Sequence, residues 1–195
     1  KIDILFEVIG QSDGISKNIV EESLKKRIHV ITPNKALIAK HGDYLSKLAE
    51  NNKVNLEFEA SVGGGMPILR TIKEGLATNK ISKIHGILNG TCNYILSEME
   101  ESKTSFNNVL KKAQKLGYAE PVNPKLDLNG NDALAKVRIL SSLSFNTKIS
   151  NKKCLMEGIE NIELKDIEIA KQLNLRIKLL GITEIINNNL FERVH

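Results

Sequence analysis

The amino-acid sequence predicts an α/β fold, in which a parallel sheet is followed by an α+β region. The apolar run at residues 2–9 and the shorter one at residues 28–32 are typical of buried strands. Between them, residues 16–26 carry apolar side chains at helical spacing among mixed charges. A strand, a helix and a strand at this spacing form a βαβ unit, and such units build parallel sheets.

The length and composition indicate a globular chain of one or two domains. The chain has 195 residues, of which 41% are apolar, so it can bury a sizeable core. It contains no run of 18 apolar residues and does not begin with the charged-then-apolar pattern of a secretion signal. We therefore predict a cytoplasmic protein that does not bind membranes.

The distribution of charge argues against nucleic-acid binding. The net charge is +5, but the lysines are scattered among acidic residues, and aromatic residues make up only 4% of the chain. The two cysteines, Cys92 and Cys154, lack the spacing of a metal site. We interpret both as buried or incidental thiols.

Lys35 lies just beyond the second predicted strand, at an end where parallel sheets bind ligands. We predict that a helix follows Lys35 and ends at Gly42. Position alone leaves two interpretations of Lys35 open, a surface lysine at a helix start or a lysine that faces a ligand.

A third strand is predicted at residues 55–60, and it leads into three consecutive glycines at 63–65. Glycines at this place suit either a flexible turn or a close approach of the backbone to a ligand. Their spacing is not the Gly-x-Gly-x-x-Gly of a dinucleotide fingerprint.

The rest of the chain alternates helical and strand patterns. The turn at residues 89–91 places Asn89, Gly90 and Thr91 at a helix N-terminus, where they could meet a ligand. The helix that precedes Gly117 is predicted to end at that glycine. The predicted helices are 66–76, 93–99, 106–116, 131–143 and 164–173, and the predicted strands are 81–88 and 176–183.

The helix beginning at Asn131 carries an acid and an amine on its apolar side. Asp132 and Lys136 stand one turn apart, in the same sector as Ile139, Leu140 and Leu143, whereas Arg138, Ser141 and Ser142 occupy the other side. An Asp and a Lys four residues apart can be an ordinary surface pair. Because burying a lysine is costly unless it is paired, a functional role as proton donor is the other interpretation.

Five segments of the chain together closely resemble homoserine dehydrogenases. They are 32–37 (TPNKAL), 58–68 (FEASVGGGMPI), 86–96 (GILNGTCNYIL), 117–120 (GYAE) and 127–136 (DLNGNDALAK). The resemblance implies an oxidoreductase that interconverts L-homoserine and L-aspartate 4-semialdehyde with NAD(P), in threonine and methionine biosynthesis. It also implies a homodimer or a higher homo-oligomer.

The resemblance assigns roles to individual residues. Lys136 and Lys35 would be catalytic, and Lys35 and Gly117 would also contact the cofactor. Glu120 and Asp132, with Asp127 as a weaker candidate, would bind the substrate. A sodium ion would be held by the carboxylate of Glu59 and by the main-chain carbonyls of three further residues, Val62, Gly64 and Met66. An all-oxygen site of this kind suits a hard cation.

The resemblance also predicts the domain organisation. Residues 1–66 correspond to the C-terminal part of a Rossmann-like nucleotide-binding domain, and residues 67–195 to a catalytic and dimerisation domain. Because no glycine-rich phosphate loop precedes the first strand, we expect the chain to be an internal segment of a longer enzyme that has little activity alone. Its preference for NAD or NADP is left open.

Two departures from the family pattern are visible. The loop between Glu120 and Asp127 is one residue longer than is usual and lacks an aspartate, and Cys92 stands where threonine is usual.

Two other functions compete with this interpretation. An acylating semialdehyde dehydrogenase would need a nucleophilic cysteine with a nearby base, and neither cysteine has a histidine beside it in the sequence. A non-catalytic or differently specific Rossmann-type ligand-binding relative would keep the fold, but Lys35 and Lys136 would have no role in it.

Overall fold

A computed structural model of the protein describes residues 2–121 and 124–195, and the fold is α/β as predicted. The first sheet contains β1 (Ile4–Phe6), β2 (His29–Ile31) and β3 (Leu56–Glu57) in the order β1-β2-β3. Both pairings are parallel, with Ile4 opposite His29 and Val30 opposite Leu56. Their carboxyl ends therefore lie along one edge of the sheet.

Two helices connect these strands and form much of the core beside them. Helix α1 (Ile15–Lys25) packs against β2 and α2 (Lys35–Asn52). Val20 and Leu24 of α1 and Leu37 and Leu45 of α2 are fully buried. The predicted βαβ unit is thus confirmed, and apolar burial explains the helical spacing of these residues.

The predicted end of the second helix at Gly42 is wrong, because α2 continues through it to Asn52. Gly42 has a packing role instead. A Cβ atom at this position would lie 2.8 Å from Cδ1 of Ile149 and 3.2 Å from Cγ2 of Ile38. The glycine therefore permits the segment around Ile149 to approach the helix, and the side chain of Asp43 accepts the main-chain N–H of Ile149 at 3.1 Å.

The third strand ends earlier than predicted. After Glu57 the chain forms a 3₁₀ turn (Glu59–Ser61), so Glu59 does not belong to a strand. Beyond the three glycines, α3 (Ile68–Arg70) continues into a π-helical turn (Thr71–Gly75). These two elements correspond to the helix predicted at residues 66–76.

The second sheet contains β4 (Lys83–Gly86), β6 (Gly181–Ile186), β7 (Asn189–Val194) and β5 (Leu155–Met156), in that order. Strands β5 and β7 are parallel, with Leu155 opposite Arg193. The strand predicted at residues 176–183 begins only at Gly181. The helices of this part of the chain are α4 (Gly90–Ser102), α5 (Phe106–Lys115), α6 (Lys125–Leu128), α7 (Asn131–Phe145) and α8 (Leu164–Gln172).

The described residues form two compact units. The first contains residues 2–84, 135–153 and 184–188, and the second contains residues 85–121, 124–134, 154–183 and 189–195. Within the described ranges, none of the helices is both long enough and apolar enough to cross a membrane.

Candidate active site

The carboxyl edge of the parallel sheet is organised around a buried carboxylate, Glu7, which directly follows β1. The hydroxyl group of Thr32, which follows β2, donates to Oε2 of Glu7 at 2.6 Å. The hydroxyl group of Ser16 donates to Oε1 at 2.9 Å, and the main-chain N–H of Ile9 donates to the same oxygen at 2.8 Å. Glu7 is only 2% exposed. Its hydrogen bonds therefore join the two strand ends to the start of α1.

The pKa of Glu7 reflects two opposing effects. Burial of the carboxyl group favours the neutral form, but hydrogen bonds from Thr32, Ser16 and the N–H groups of Ile9 and Gly10 favour the charged form. Together these bonds outweigh burial and lower the pKa of Glu7 below its ordinary value of 4.5. Glu7 is therefore a carboxylate at neutral pH.

Lys35 is placed by this network. It is the half-buried first residue of α2, and the preceding residue, Asn34, is the N-cap of the helix. The side chain of Asn34 accepts the N–H of Leu37 at 3.1 Å and donates to Glu7 at 3.3 Å and to the carbonyl of Gln11 at 2.8 Å. The backbone that carries Lys35 is thus held to the carboxyl edge of the sheet.

The predicted sodium ligand Glu59 has a clear structural role. One of its carboxylate oxygens accepts the N–H of Leu69 at 2.8 Å, and the other accepts the N–H of Arg70 at 2.9 Å. Glu59 therefore satisfies N–H groups in the first turn of α3, which no residue within the helix could satisfy. Each oxygen keeps a further lone pair, so these bonds leave room for a cation as well.

The other three predicted ligands are carbonyls of the glycine-rich turn. The Met66 carbonyl accepts the N–H of Ile68 at 2.8 Å. A Cβ atom on Gly64 would meet no atom within 4 Å, so the backbone there is open. Ser61, only 1% exposed, has a side-chain oxygen without a hydrogen-bond partner in the described part of the chain. A hard cation prefers oxygen ligands, and this segment offers several oxygens, including the Ser61 hydroxyl. Clustered His, Cys, Asp and Glu ligands for a metal are absent from the described residues.

In the second unit, one amide group holds together two of the predicted substrate-binding acids. The side-chain nitrogen of Asn89 donates to Asp127 at 2.9 Å and to Asp132 at 2.9 Å. The side-chain oxygen of Asn89 accepts the N–H of Cys92 at 2.8 Å and so caps α4. Asn89 is 4% exposed and Asp132 is 8% exposed, whereas Asp127 is half-buried.

The neighbouring thiol of Cys92 is fully buried. Burial, together with the negative charges of Asp127, Asp132 and Glu160, raises the pKa of Cys92 to about 12. The thiol is therefore neutral at physiological pH, and it lies 3.3 Å from the Asp127 carbonyl, to which it donates. This environment disfavours a nucleophilic role for Cys92, since the thiolate is the reactive form.

Gly117 and Glu120 lie beyond the end of α5. Gly117 has a φ of 78°, as a helix-ending glycine often has, and no atom lies within 4 Å of the place where its Cβ would be. Tyr118 stacks on Tyr94 of α4 with ring centroids 4.5 Å apart, and its carbonyl accepts the Thr91 hydroxyl at 2.6 Å.

Glu120 follows this anchored segment with an exposed side chain. The lengthened loop predicted after it includes Val122 and Asn123, which lie outside the described residues. The structure therefore describes both ends of that loop, Glu120 and Asp127, but not its middle.

Helix α7 places Asp132 in its first turn and Lys136, which is half-buried, one turn later. The prediction that Ser141 lies on the polar side of this helix is wrong, because Ser141 is only 1% exposed. Buried residues cover more than half of the circumference of α7, whereas Ala135, Arg138 and Ser142 lie on the remaining side and are half-buried. The inward face is therefore wider than predicted. The buried residues are Asp132, Ala133, Leu134, Val137, Ile139, Leu140 and Ser141.

The structure brings two of the predicted site residues together, and it adds a residue that the sequence analysis did not predict. It brings Asp127 and Asp132 together through Asn89, whose position at a helix start was the only signal in the sequence. Glu7 was missed, although an acid within the apolar run at residues 2–9 was a visible signal. The exposed Glu120 side chain does not take part in the Asn89 network.

The chain matches two family models. Residues 67–195 match the homoserine dehydrogenase model, and residues 1–59 match the homoserine dehydrogenase NAD-binding domain. It is 44% identical to a homoserine dehydrogenase of Neisseria gonorrhoeae and 43% identical to one of Helicobacter pylori. Both matches cover 100% of this chain, which spans 44% and 45% of the two relatives, respectively.

Solved structures give the same result. The fold matches a homoserine dehydrogenase from Thiobacillus denitrificans with a TM-score of 0.95 and 41% identity, over 100% of this chain and 44% of that one. It also matches a hyperthermophilic archaeal homoserine dehydrogenase in complex with NADPH, with a TM-score of 0.80 and 26% identity, over 99% of this chain and 55% of that one. From its sequence motifs, its fold and these matches, the chain belongs to the homoserine dehydrogenase family.

Proposed function

We propose that the enzyme carrying this chain interconverts L-homoserine and L-aspartate 4-semialdehyde with NAD(P), in the biosynthesis of threonine and methionine. The observation that carries the proposal is the pair of acids, Asp127 and Asp132, which share the side-chain nitrogen of Asn89. In α7, Asp132 stands one helical turn before Lys136. This arrangement offers negative charge for an amino acid's ammonium group and an amine for proton transfer in the same stretch of chain.

The acids would bind the substrate by its amino end. Asp132 is nearly buried, so its interaction with an ammonium group would be weakly screened by solvent. Glu120 would add a second, more exposed carboxylate, and Asp127 a third. A charge-assisted hydrogen bond to each acid would select an amino-acid substrate over an analogue that lacks nitrogen.

The lysines would move the proton. Oxidation of the primary alcohol removes a proton from the hydroxyl oxygen and a hydride from the adjacent carbon. Lys136, or Lys136 together with Lys35, would accept that proton and return it to the aldehyde oxygen in the reverse direction. Both lysines are half-buried, which limits the number of positions that their amines can take.

A nicotinamide cofactor would supply or accept the hydride when bound. Lys35 and Gly117 would contact it, Lys35 from the carboxyl edge of the parallel sheet and Gly117 through its open backbone. The matched archaeal enzyme was solved in complex with NADPH, which supports a cofactor of this class.

Further features belong to the same proposal. We assign residues 1–66 to the nucleotide-binding domain and residues 67–195 to the catalytic and dimerisation domain of a cytoplasmic homodimer or higher homo-oligomer. Glu59, Val62, Gly64 and Met66 would hold a sodium ion, with Ser61 as an additional nearby oxygen.

The test measures reduction of NAD⁺ and of NADP⁺ by the full-length enzyme with homoserine as substrate. γ-Hydroxybutyrate, which is homoserine without its amino group, is the matched control substrate. We expect kcat/KM for homoserine to exceed that for γ-hydroxybutyrate by at least about 100-fold, because γ-hydroxybutyrate lacks the ammonium group that the acids would bind. No reduction of either cofactor with homoserine would refute the proposal and favour a non-catalytic relative.

A further inference from the structure

We propose that Asn89 is the positioning residue of the substrate site, and that its single amide group holds Asp127 and Asp132 in the arrangement that receives the substrate ammonium. The inference rests on the proposed function, and it adds a residue whose only predicted feature was its place at a helix start. Asn89 itself would act through the two acids and would not take part in proton transfer.

The orientation of the amide is determined by its surroundings. The N–H of Cys92 is a donor, so the side-chain atom of Asn89 that lies 2.8 Å from it must be the oxygen. The NH₂ group then points to Asp127 and Asp132, each at 2.9 Å. Both hydrogens of the amide are used, one for each carboxylate.

The two acids come from two consecutive helices. Asp127 belongs to the four-residue helix α6, and Asp132 belongs to the first turn of α7. Two carboxylates beside one nitrogen repel each other, and they attract a cation. The amide donors offset part of that repulsion.

A purely structural role for Asn89 is the competing explanation, because its oxygen caps α4. The substitution Asn89→Asp separates the two roles. An aspartate keeps an oxygen that can accept the N–H of Cys92, and aspartate is as good an N-cap as asparagine. It removes both donors and places a third carboxylate beside the other two.

The experiment compares Asn89→Asp with Asn129→Asp in the full-length enzyme. Asn129 also accepts a main-chain N–H at a helix start, from Asn131 at 3.0 Å, so its substitution adds the same charge nearby without removing a donor to either acid. The measurements are the melting temperature, the affinity for NADP⁺, and kcat and KM for homoserine.

We expect Asn89→Asp to raise the homoserine KM by about 10-fold or more, with kcat changed much less. Its melting temperature should fall, because a buried carboxylate replaces the two donors to the acids, whereas its NADP⁺ affinity should change by less than about twofold. Asn129→Asp should leave the homoserine KM within about threefold. A folded Asn89→Asp enzyme with an unchanged homoserine KM would overturn the inference.

A second variant covers the case in which Asn89→Asp does not fold. Asn89→Ser also keeps a capping oxygen and loses the NH₂ group, without adding charge. We expect the same rise in homoserine KM. Loss of folding in both variants would assign Asn89 to stability alone and overturn the inference. A wild-type enzyme inactive with homoserine would instead show that the proposed function is wrong, so the two failures are distinguishable.

Discussion

The hydroxyl group of Thr32 donates a hydrogen bond of 2.6 Å to the carboxylate of Glu7, and this bond joins the residues that follow two neighbouring parallel strands. Thr32 is itself 1% exposed, so the bond lies in the interior. The same Thr32 oxygen accepts the N–H of Asn34 at 3.0 Å. Glu7 is thereby connected through Thr32 to Asn34, the residue that precedes Lys35.

Substitution of Glu7 is expected to make stability less dependent on pH. The pKa of Glu7 is lower in the folded protein than its ordinary value of 4.5, so its contribution to stability is present above that value. The contribution is lost as the pH falls through the lowered pKa. Glu7→Gln should lower the free energy of unfolding by about 1–3 kcal/mol at neutral pH. The NH₂ group of Gln cannot accept the hydrogen bonds that the donors around Glu7 make.

Urea unfolding from neutral to acidic pH checks this expectation. Below the lowered pKa, the wild type and Glu7→Gln should approach the same free energy of unfolding. Glu101→Gln, at an exposed position of α4, is the matched control and should follow the wild type throughout. A constant difference between Glu7→Gln and the wild type at every pH would contradict an ionised Glu7.

Lys136→Met should lower kcat by about 10²- to 10⁴-fold in the full-length enzyme, which is the usual contribution of a positioned general acid or base. Methionine can occupy a half-buried position on α7, so the fold should survive. Turnover and melting temperature are measured on the same sample. A folded variant that keeps more than about a tenth of the wild-type kcat would show that Lys136 is not the proton carrier.

Glu120→Gln should weaken homoserine binding much more than cofactor binding, because one carboxylate is lost while Lys35 and Gly117 are unchanged. Glu120 is exposed, so its substitution should barely affect stability. Separate KM measurements for homoserine and for NADP⁺ check the assignment, with Glu101→Gln again as the control. A raised cofactor KM beside an unchanged homoserine KM would place Glu120 at the cofactor.

Gly158→Ala should destabilise the second unit by about 1–3 kcal/mol or more. A Cβ atom at this position would collide with the Leu128 carbonyl oxygen and would lie 2.5 Å from Cα of Asn129. These are backbone atoms of the segment between Asp127 and α7, so a side chain cannot rotate away to make room. The substitution should therefore also raise the homoserine KM in any protein that remains folded.

Chemical denaturation measures this effect, and Gly75→Ala is the matched control. A Cβ atom on Gly75 would meet only the Thr71 methyl group at 3.8 Å, an ordinary contact. Equal stabilities of the two variants would contradict the close approach at Gly158.

The sequence by itself determined the features that depend on neighbouring residues. Apolar spacing predicted the strand, helix and strand of the first unit, and it predicted α7 with Asp132 one turn before Lys136. The motifs around Lys35 and Lys136 were enough to indicate the family. Periodicity and motifs are local in the chain, so they can be identified without knowledge of the fold.

The tertiary structure decided the partners of the polar residues. Asn89 and Asp127 are 38 residues apart, and Thr32 and Glu7 are 25 apart, so no local pattern predicts either hydrogen bond. The same holds for the close approach of Ile149 to Gly42 in α2, and for the burial of Ser141. Buried polar groups need hydrogen-bond partners, and only the folded chain brings such partners together from distant segments.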